Sequence, residues 1–246
     1  LLDLCDIDKY LIYARSLLFA KRINLAKETI GESLNFVKNP YVAFSCGKDS
    51  SVLAHLVIQE NPRIPLRFLS SGETRIIHNV DEVMDWFRSQ GATVEEILID
   101  RVFSEEWKDA SWTEQRKAGK HDLESLNEGN WDGIFMGLRM QESKHRKISL
   151  LKCQTPGRPR FCYQYKNGRA RICPLATWTV EDVAAYLITR GIPVLQRYKD
   201  HGFEARTTAR LTGDAVRQNV LTEIKHKNPE GWERLVARFP EFSCFV

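Results

Sequence analysis

Short apolar runs alternate with amphipathic stretches through the middle of the chain. Tyr41-Val42-Ala43-Phe44 is a continuous apolar run of strand length, the pattern of a strand buried on both faces of a parallel sheet. Val52, Leu53, Leu56 and Val57 then recur at helical spacing and predict a helix over 50–59. Pro62 and Pro65 punctuate, Leu66-Arg67-Phe68-Leu69 predicts a second strand, and 80–89 a second helix. A third strand is expected at 93–99 and a fourth at 133–136, running out into Gly137-Leu138-Arg139. Between them, 101–128 is polar and predicted helical, with Trp107 and Trp112 as apolar anchors. Ahead of the first strand, 8–36 reads as one or two amphipathic helices with Leu11, Ala14, Leu17 and Leu18 on one face, broken at Asn39-Pro40.

This alternation predicts an α/β fold, a parallel sheet with helices on both faces. In such sheets ligands sit beyond the carboxyl ends of the strands, where the strand order reverses. Segments 45–50, 70–74 and 137–146 are all expected as loops at that edge. Beyond 150 the pattern changes. Residues 150–173 are basic and carry turn signals at Pro156-Gly157 and Asn167-Gly168, which predict a hairpin. Thr179 is placed to cap a helix that Glu181 and Asp182 favour in its first turn and that ends near Arg190-Gly191. Further helices are expected at 214–225 and 231–239. The chain thus divides into an N-terminal helical segment (1–37), an α/β domain (38–174) and a helical C-terminal section (175–246).

With 246 residues the chain is long enough for one large α/β domain. Its composition, 43% hydrophobic and 28% charged, is that of a globular protein, and no run approaches the ~20 apolar residues of a membrane span. The opening Leu1-Leu2-Asp3-Leu4-Cys5-Asp6 is acidic, unlike a signal peptide, and lacks Met, so residues ahead of it are expected. Six scattered cysteines do not read as a disulfide framework; a cytoplasmic protein without membrane association is expected. The net charge is +4 with pI ≈ 8.7, which suits anionic substrates without proving nucleic-acid binding. The charge is uneven: 139–171 carries ten Lys and Arg against one carboxylate, Glu142.

Ser45-Cys46-Gly47-Lys48-Asp49-Ser50 stands between a predicted strand and a predicted helix. Gly47 lets the backbone approach a ligand, the helix N-terminus supplies free N–H donors and partial positive charge, and Lys48 adds a mobile cation. Ser45 and Ser50 offer hydroxyls. The spacing is not that of a Walker A loop. Arg139 and Arg146 are candidates to hold phosphate or sulfate oxygens, with Glu142 orienting one of them or helping to hold Mg²⁺.

Phe44-Ser45-Cys46-Gly47-Lys48-Asp49-Ser50-Ser51 resembles the Ser-Gly-Gly-Lys-Asp-Ser signature of the PP-loop ATP pyrophosphatases, and more narrowly the chain resembles the phosphoadenylylsulfate (PAPS) reductase family. That family includes PAPS and APS reductases, the small subunit of ATP sulfurylase, and the ATP-pyrophosphatase component of DNA phosphorothioation systems. Gly137-Leu138-Arg139-Met140-Gln141-Glu142-Ser143 with Arg146 is similar to the second signature, and Cys173-Pro174-Leu175-Ala176-Thr177-Trp178-Thr179 to the Pro-Leu-x-x-Trp-Thr segment. The likeness covers about 38–200. It implies an adenine nucleotide alpha hydrolase-like, Rossmann-like fold with ATP and Mg²⁺ as ligands, Asp49 being a candidate for the ion. It also implies Lys48, Asp49, Arg139 and Arg146 as catalytic residues. Ser45, Cys46, Gly47, Ser50, Ser71, Gly72, Gly137 and Glu142 would contact the nucleotide.

The Lys48-Asp49 pair resembles the ATP-using members, which favours cleavage between the α and β phosphates and an adenylylated acceptor. Reductases carry a nucleophilic cysteine in a Glu-Cys-Gly-x-His-type tail; here Glu241-Phe242-Ser243-Cys244-Phe245-Val246 lacks the Gly and His, so Cys244 reads as incidental. Cys46 stands where the signature has Gly. It reads as a small residue that fits, or alternatively as an acidified thiol able to carry sulfur. Cys153, Cys162 and Cys173 lack Cys-x-x-Cys spacing and read as scattered thiols, with an iron–sulfur cluster as the alternative. Three functions remain open: an ATP pyrophosphatase activating an acceptor for sulfur transfer, a PAPS or APS reductase, and a non-catalytic nucleotide-binding subunit. The acceptor is expected to be anionic, nucleic acid or sulfate, along the basic stretch, where Tyr163 and Tyr165 suit base stacking. A sulfur-donor protein such as a cysteine desulfurase, or a GTPase subunit, is a possible partner.

Overall fold

The computed structural model describes residues 4–99, 125–152, 154–205 and 214–246. Six strands make one sheet: β1 Pro40–Phe44, β2 Leu66–Ser71, β3 Val94–Ile99, β4 Gly133–Phe135, β5 Cys162–Gln164 and β6 Ala170–Ile172. Their order is β3-β2-β1-β4-β6-β5, and every neighbouring pair is parallel except β5 with β6. Tyr41 and Val42, consecutive in β1 and so on opposite faces, are 1% and 0% exposed, which means that both faces of the central strand are covered.

The chain leaves β1 toward β2 and β3 on one side and returns to β4 on the other. The order therefore reverses between β1 and β4, and the carboxyl ends of these two strands flank the crevice where doubly wound sheets bind ligands. The predicted hairpin is β5–β6; β6 also pairs with β4 and so extends the main sheet, which local turn signals do not reveal.

Ten described helices surround the strands. Before the sheet come α1 Leu4–Tyr13 and α2 Leu17–Leu34, and α3 Lys48–Glu60 follows β1. Then come α4 Gly72–Ile77, α5 Val80–Ser89, α6 Lys144–Lys152, α7 Val180–Thr189, α8 Gln196–His201, α9 Asp214–Lys227 and α10 Pro229–Arg238. The segment expected as a loop at 70–74 is instead the end of β2 and the start of α4. The helix expected at 101–128 falls mostly outside the described residues. The apolar face predicted from Leu11, Ala14, Leu17 and Leu18 does not form: Leu11, Leu17 and Leu18 are exposed, while Tyr10, Phe19, Ala26 and Ile30 face the core. The reason is the break before α2. Ser16 accepts from the Phe19 N–H at 3.1 Å and restarts the helix, so the two stretches do not share one helical phase.

The main core joins α2, α3, α5 and α7 to the sheet. At the other end Val220, Leu221, Ile224, Leu235 and Phe242 form a smaller cluster, which reaches the α/β part through Ile76 of α4. Among the described residues no helix is long and apolar enough to cross a membrane.

Candidate nucleotide site

The loop after β1 folds tightly on itself. The Ser45 N–H donates to Ser50 Oγ at 3.2 Å, the two serine hydroxyls lie 3.0 Å apart, and Ser50 Oγ donates to the Gly47 carbonyl at 3.0 Å. Gly47 is the N-cap of α3 and offers no side-chain cap, so apart from the Lys48 N–H, which meets the Tyr198 hydroxyl, the first turn of α3 leaves donors for other acceptors. Cys46 sits at φ +57°, the left-handed region that favours glycine, at the place where the signature carries one. The loop therefore turns the Cys46 side chain inward: it is 1% exposed, with Sγ 3.9 Å from the Val80 carbonyl. Burial pushes this thiol well above its usual range. Buried and with its thiol raised by desolvation, Cys46 matches the small residue that fits and not the acidified, sulfur-carrying alternative.

Lys48 and Asp49 start α3. Lys48 is only 8% exposed and is held rather than mobile, contrary to expectation. Its Nζ donates to the Ala205 carbonyl at 3.4 Å, lies 3.6 Å from Asp49 Oδ2 and stands 4.9 Å above the Tyr198 ring. Its backbone N–H donates to the Tyr198 hydroxyl at 3.4 Å. Asp49 Oδ1 accepts from Arg139 Nε at 2.5 Å, so the first signature grips the second.

Arg139 is 4% exposed, and its hydrogen bonds fix its orientation. Its Nη1 donates to Gln141 Oε1 at 2.9 Å and its backbone N–H to Glu142 Oε2 at 3.0 Å. The same Glu142 oxygen accepts from Arg146 Nη1 at 2.6 Å. Gln141 Oε1 also accepts the Val180 N–H at 2.7 Å and so ties the second signature to the start of α7. Gly137 permits this meeting: a Cβ there would stand 3.0 Å from the backbone carbonyl of Asp49 and 3.2 Å from the Ser50 nitrogen.

These elements enclose a cavity of about 570 Å³ at the carboxyl ends of β1 and β4. Ser45, Gly47, Lys48, Asp49, Ser50, Gly137, Arg139, Glu142 and Arg146 all line it. Among the described residues, Cys46 and Ser71 lie outside the lining, and the environment of Gly72 lies outside what the structure describes. Ser71 is instead the N-cap of α4, where its Oγ accepts from the Thr74 N–H at 3.1 Å. Tyr198, Phe203 and Glu204 line the cavity as well, although no motif marked them. Their signal was faint: two aromatics and an acid at the very end of the recognisable likeness and just past it.

The basic stretch does not act as one unit. Arg139 and Arg146 face the cavity, whereas Arg158 lies 4.4 Å over the Phe36 ring and donates to Gln164. Arg160 lies 5.0 Å over Phe161, and Tyr163 and Tyr165 pack edge to face against each other. Cys162 and Cys173 are buried, and desolvation pushes their thiols up to about 11 and about 12. Cys153 lies outside the described residues. Cys244 is exposed and does not line the cavity. Among the described residues no group of three or more His, Cys, Asp or Glu side chains is placed to hold a metal ion.

A strand–loop–helix whose start carries no side-chain cap, a cationic cavity and a position at the sheet's switch point define a nucleotide-binding α/β protein. The phosphoadenosine phosphosulfate reductase domain matches residues 39–205, and the chain belongs to that family. Among its relatives is sulfate adenylyltransferase subunit 2 of Rhodospirillum rubrum, 28% identical over 202 residues that span 73% of this chain and 66% of that protein. Another is the phosphoadenosine 5'-phosphosulfate reductase of Xanthomonas campestris, 29% identical over 166 residues and 61% of each chain. The chain spans 61% to 66% of the length of such curated relatives. A solved PAPS reductase from Candida auris aligns with TM-score 0.48 and 17% identity over 72% of this chain and 84% of that one. The U34-tRNA thiolase NcsA from Methanococcus maripaludis aligns with TM-score 0.49 and 13% identity over 93% of this chain and 78% of that one.

Proposed function

We propose that the chain is an adenylyl-transferring ATP pyrophosphatase that binds ATP in the switch-point cavity and activates sulfate. The observation that carries this reading is that Lys48, Asp49 and Arg139 form one connected group in the cavity wall, at the start of α3. The relatives named sulfate adenylyltransferase subunit 2 support sulfate as the acceptor. A sulfate oxygen attacks the α-phosphorus and forms the new P–O bond. The bond from that phosphorus to the bridging oxygen breaks, and pyrophosphate leaves with the electron pair. Lys48, Arg139 and Arg146 offset the charge that develops on the phosphate oxygens, already oriented by their own partners.

Magnesium fits this donor set only in part. Asp49 and Glu142 are already engaged by Arg139 and Arg146, so neither is open to an ion in this arrangement. Glu204, exposed on the cavity wall, is the carboxylate placed to meet an ion carried in on the phosphates. Bound there, the ion would neutralise charge on the leaving pyrophosphate.

The second reading, a PAPS reductase, is favoured by the relatives of that name. It requires a nucleophilic thiol, and among the described residues that line the cavity none is a cysteine. Incubation with ATP labelled at the α or the γ phosphate, with Mg²⁺ and sulfate, tests the proposal. Labelled adenylyl sulfate or AMP together with pyrophosphate is expected; ADP and phosphate would sink it. Sulfite released from PAPS in a thioredoxin-dependent reaction would instead establish the reductase reading. Lys48→Met keeps the alkyl stem against Tyr198 and removes the charge. It should cut turnover by about a hundredfold or more with the thermal midpoint nearly unchanged.

A further inference from the structure

Helix α6 carries charge and apolar surface that the cavity does not use. It starts directly after the second signature, where Ser143 Oγ accepts from the Arg146 N–H at 3.1 Å. Its inner side is committed. Leu150 is 2% exposed and packs with Phe161, Cys173 and Ala176, while Arg146 reaches Glu142 at the cavity.

The outer side is different. Lys144, Lys147, Ile148, Leu151 and Lys152 follow the spacing of a single helical face, and all five are exposed. Ile148 is 42% and Leu151 50% exposed, although both are large aliphatics. Among the described residues, the side chains of Lys144, Lys147 and Lys152 form no ion pair or hydrogen bond. No Asp or Glu occurs anywhere in 143–171, and Glu142, just before this stretch, is taken by Arg146 and the Arg139 backbone.

A pair of aliphatic side chains inside a ring of unpaired lysines has the anatomy of a small protein-binding patch: an apolar centre with a charged rim. A nucleic-acid backbone would use the lysines but gain nothing from covering Ile148 and Leu151. Nucleic-acid faces also favour arginine and aromatic side chains, and the five exposed residues of this face of α6 include neither.

We propose that the outer face of α6 docks an acidic partner protein, through a segment that presents Asp and Glu around apolar side chains. Ser143 and Arg146 line the cavity, so the partner would sit beside its mouth. The proposal does not depend on the adenylyl-transfer reading, because no residue of the outer face touches the cavity.

The test uses the whole chain and a fluorescently labelled synthetic helical peptide with leucines along one face and glutamates flanking them. Its controls are a peptide of the same composition in scrambled order, single-stranded and duplex DNA, and phosphatidylserine–phosphatidylcholine vesicles. Anisotropy titration should show the ordered peptide binding at least about tenfold more tightly than the scrambled one. Lys147→Glu and the double change Ile148→Ser with Leu151→Ser should each weaken it by about tenfold while nucleotide binding is retained. The proposal is overturned if the ordered peptide does not bind, if the scrambled peptide binds equally, or if the double change has no effect. DNA or vesicles binding more tightly than the peptide would overturn it too, and would assign the face to a nucleic acid or a lipid surface.

Discussion

Gly137 shows how a single residue type can be required by two segments at once. It lies against the backbone of Asp49 and Ser50, so any side chain there must push the second signature away from the phosphate loop. Gly137→Ala is expected to destabilise the fold by about 1–3 kcal/mol, the cost of overpacking a rigid contact, and to weaken nucleotide binding as well. Denaturant unfolding and nucleotide titration check this; a wild-type affinity in the variant would show that the two signatures need not touch. His55 gives a pH signature. Its Nδ1 pairs with the Tyr186 hydroxyl at 2.9 Å, and its ring lies against Trp86 and Tyr186. Burial, with Arg190 and Lys27 nearby, pushes it down from 6.5 to about 4. The unfolded chain therefore takes up this proton first as pH falls. The stability tied to neutral His55 is complete above about pH 6.5 and is lost as pH drops toward 4. Thermal midpoints from pH 7 to 4 should fall less steeply in His55→Gln than in wild type; parallel curves would refute the assignment. Gly137, Arg139 and Lys48 were legible in the sequence because signature residues keep their chemistry wherever the loop goes. The burial of Cys46 was not, since it follows from the sign of one φ angle.

At the level of elements, local periodicity located strands and helices well and missed what tertiary pairing decides. Val80–Ser89 is a helix as read, because its apolar positions Val80, Val83, Met84 and Phe87 follow the helical spacing. The joining of β6 to β4 was hidden, since a three-residue strand takes its place from its neighbour rather than from its own pattern. The same holds for α8. Nothing within Gln196–His201 announces a site, yet the helix delivers Tyr198 to the phosphate loop, 150 positions earlier in the chain. Long-range bonds set it there: Gln196 N–H to Asn79 Oδ1 at 2.6 Å, Lys199 to Glu82 at 3.1 Å, and Arg197 and His201 to Glu223. Two substitutions separate the contributions of Tyr198. Tyr198→Phe removes the hydroxyl that takes the Lys48 N–H but keeps the ring beneath the ammonium and against Phe203. Tyr198→Leu removes both. If the ring holds Lys48 in place, calorimetric titration with nucleotide should show little change for Phe and a loss of about 1 kcal/mol for Leu. Equal losses would assign the role to the hydroxyl.

The whole molecule draws one cavity from segments spread over most of its length: the loop after β1, the turn after β4, and α8 with the residues that follow it. Sequence motifs reached the first two, and the switch point of the sheet explains why those two meet. The third belongs to the site only if ligand binding engages all three together. A ligand that binds the folded state alone raises its stability by about 2.7 kcal/mol when present at 100 times its Kd. Mg²⁺–ATP should therefore raise the thermal midpoint of the wild-type chain, and the shift should be much smaller in Lys48→Met. Hydrogen exchange shows where that stability is distributed. Amides at 47–51, at 139–143 and at 196–203 should slow together on addition of Mg²⁺–ATP, while those of α10, which packs in the separate C-terminal cluster, should not. Protection confined to 47–51 and 139–143 would show that Tyr198 and its helix are neighbours of the site and not part of it. Protection at all three would mean that nucleotide binding couples the sheet's switch point to the segment that leads into the C-terminal helices.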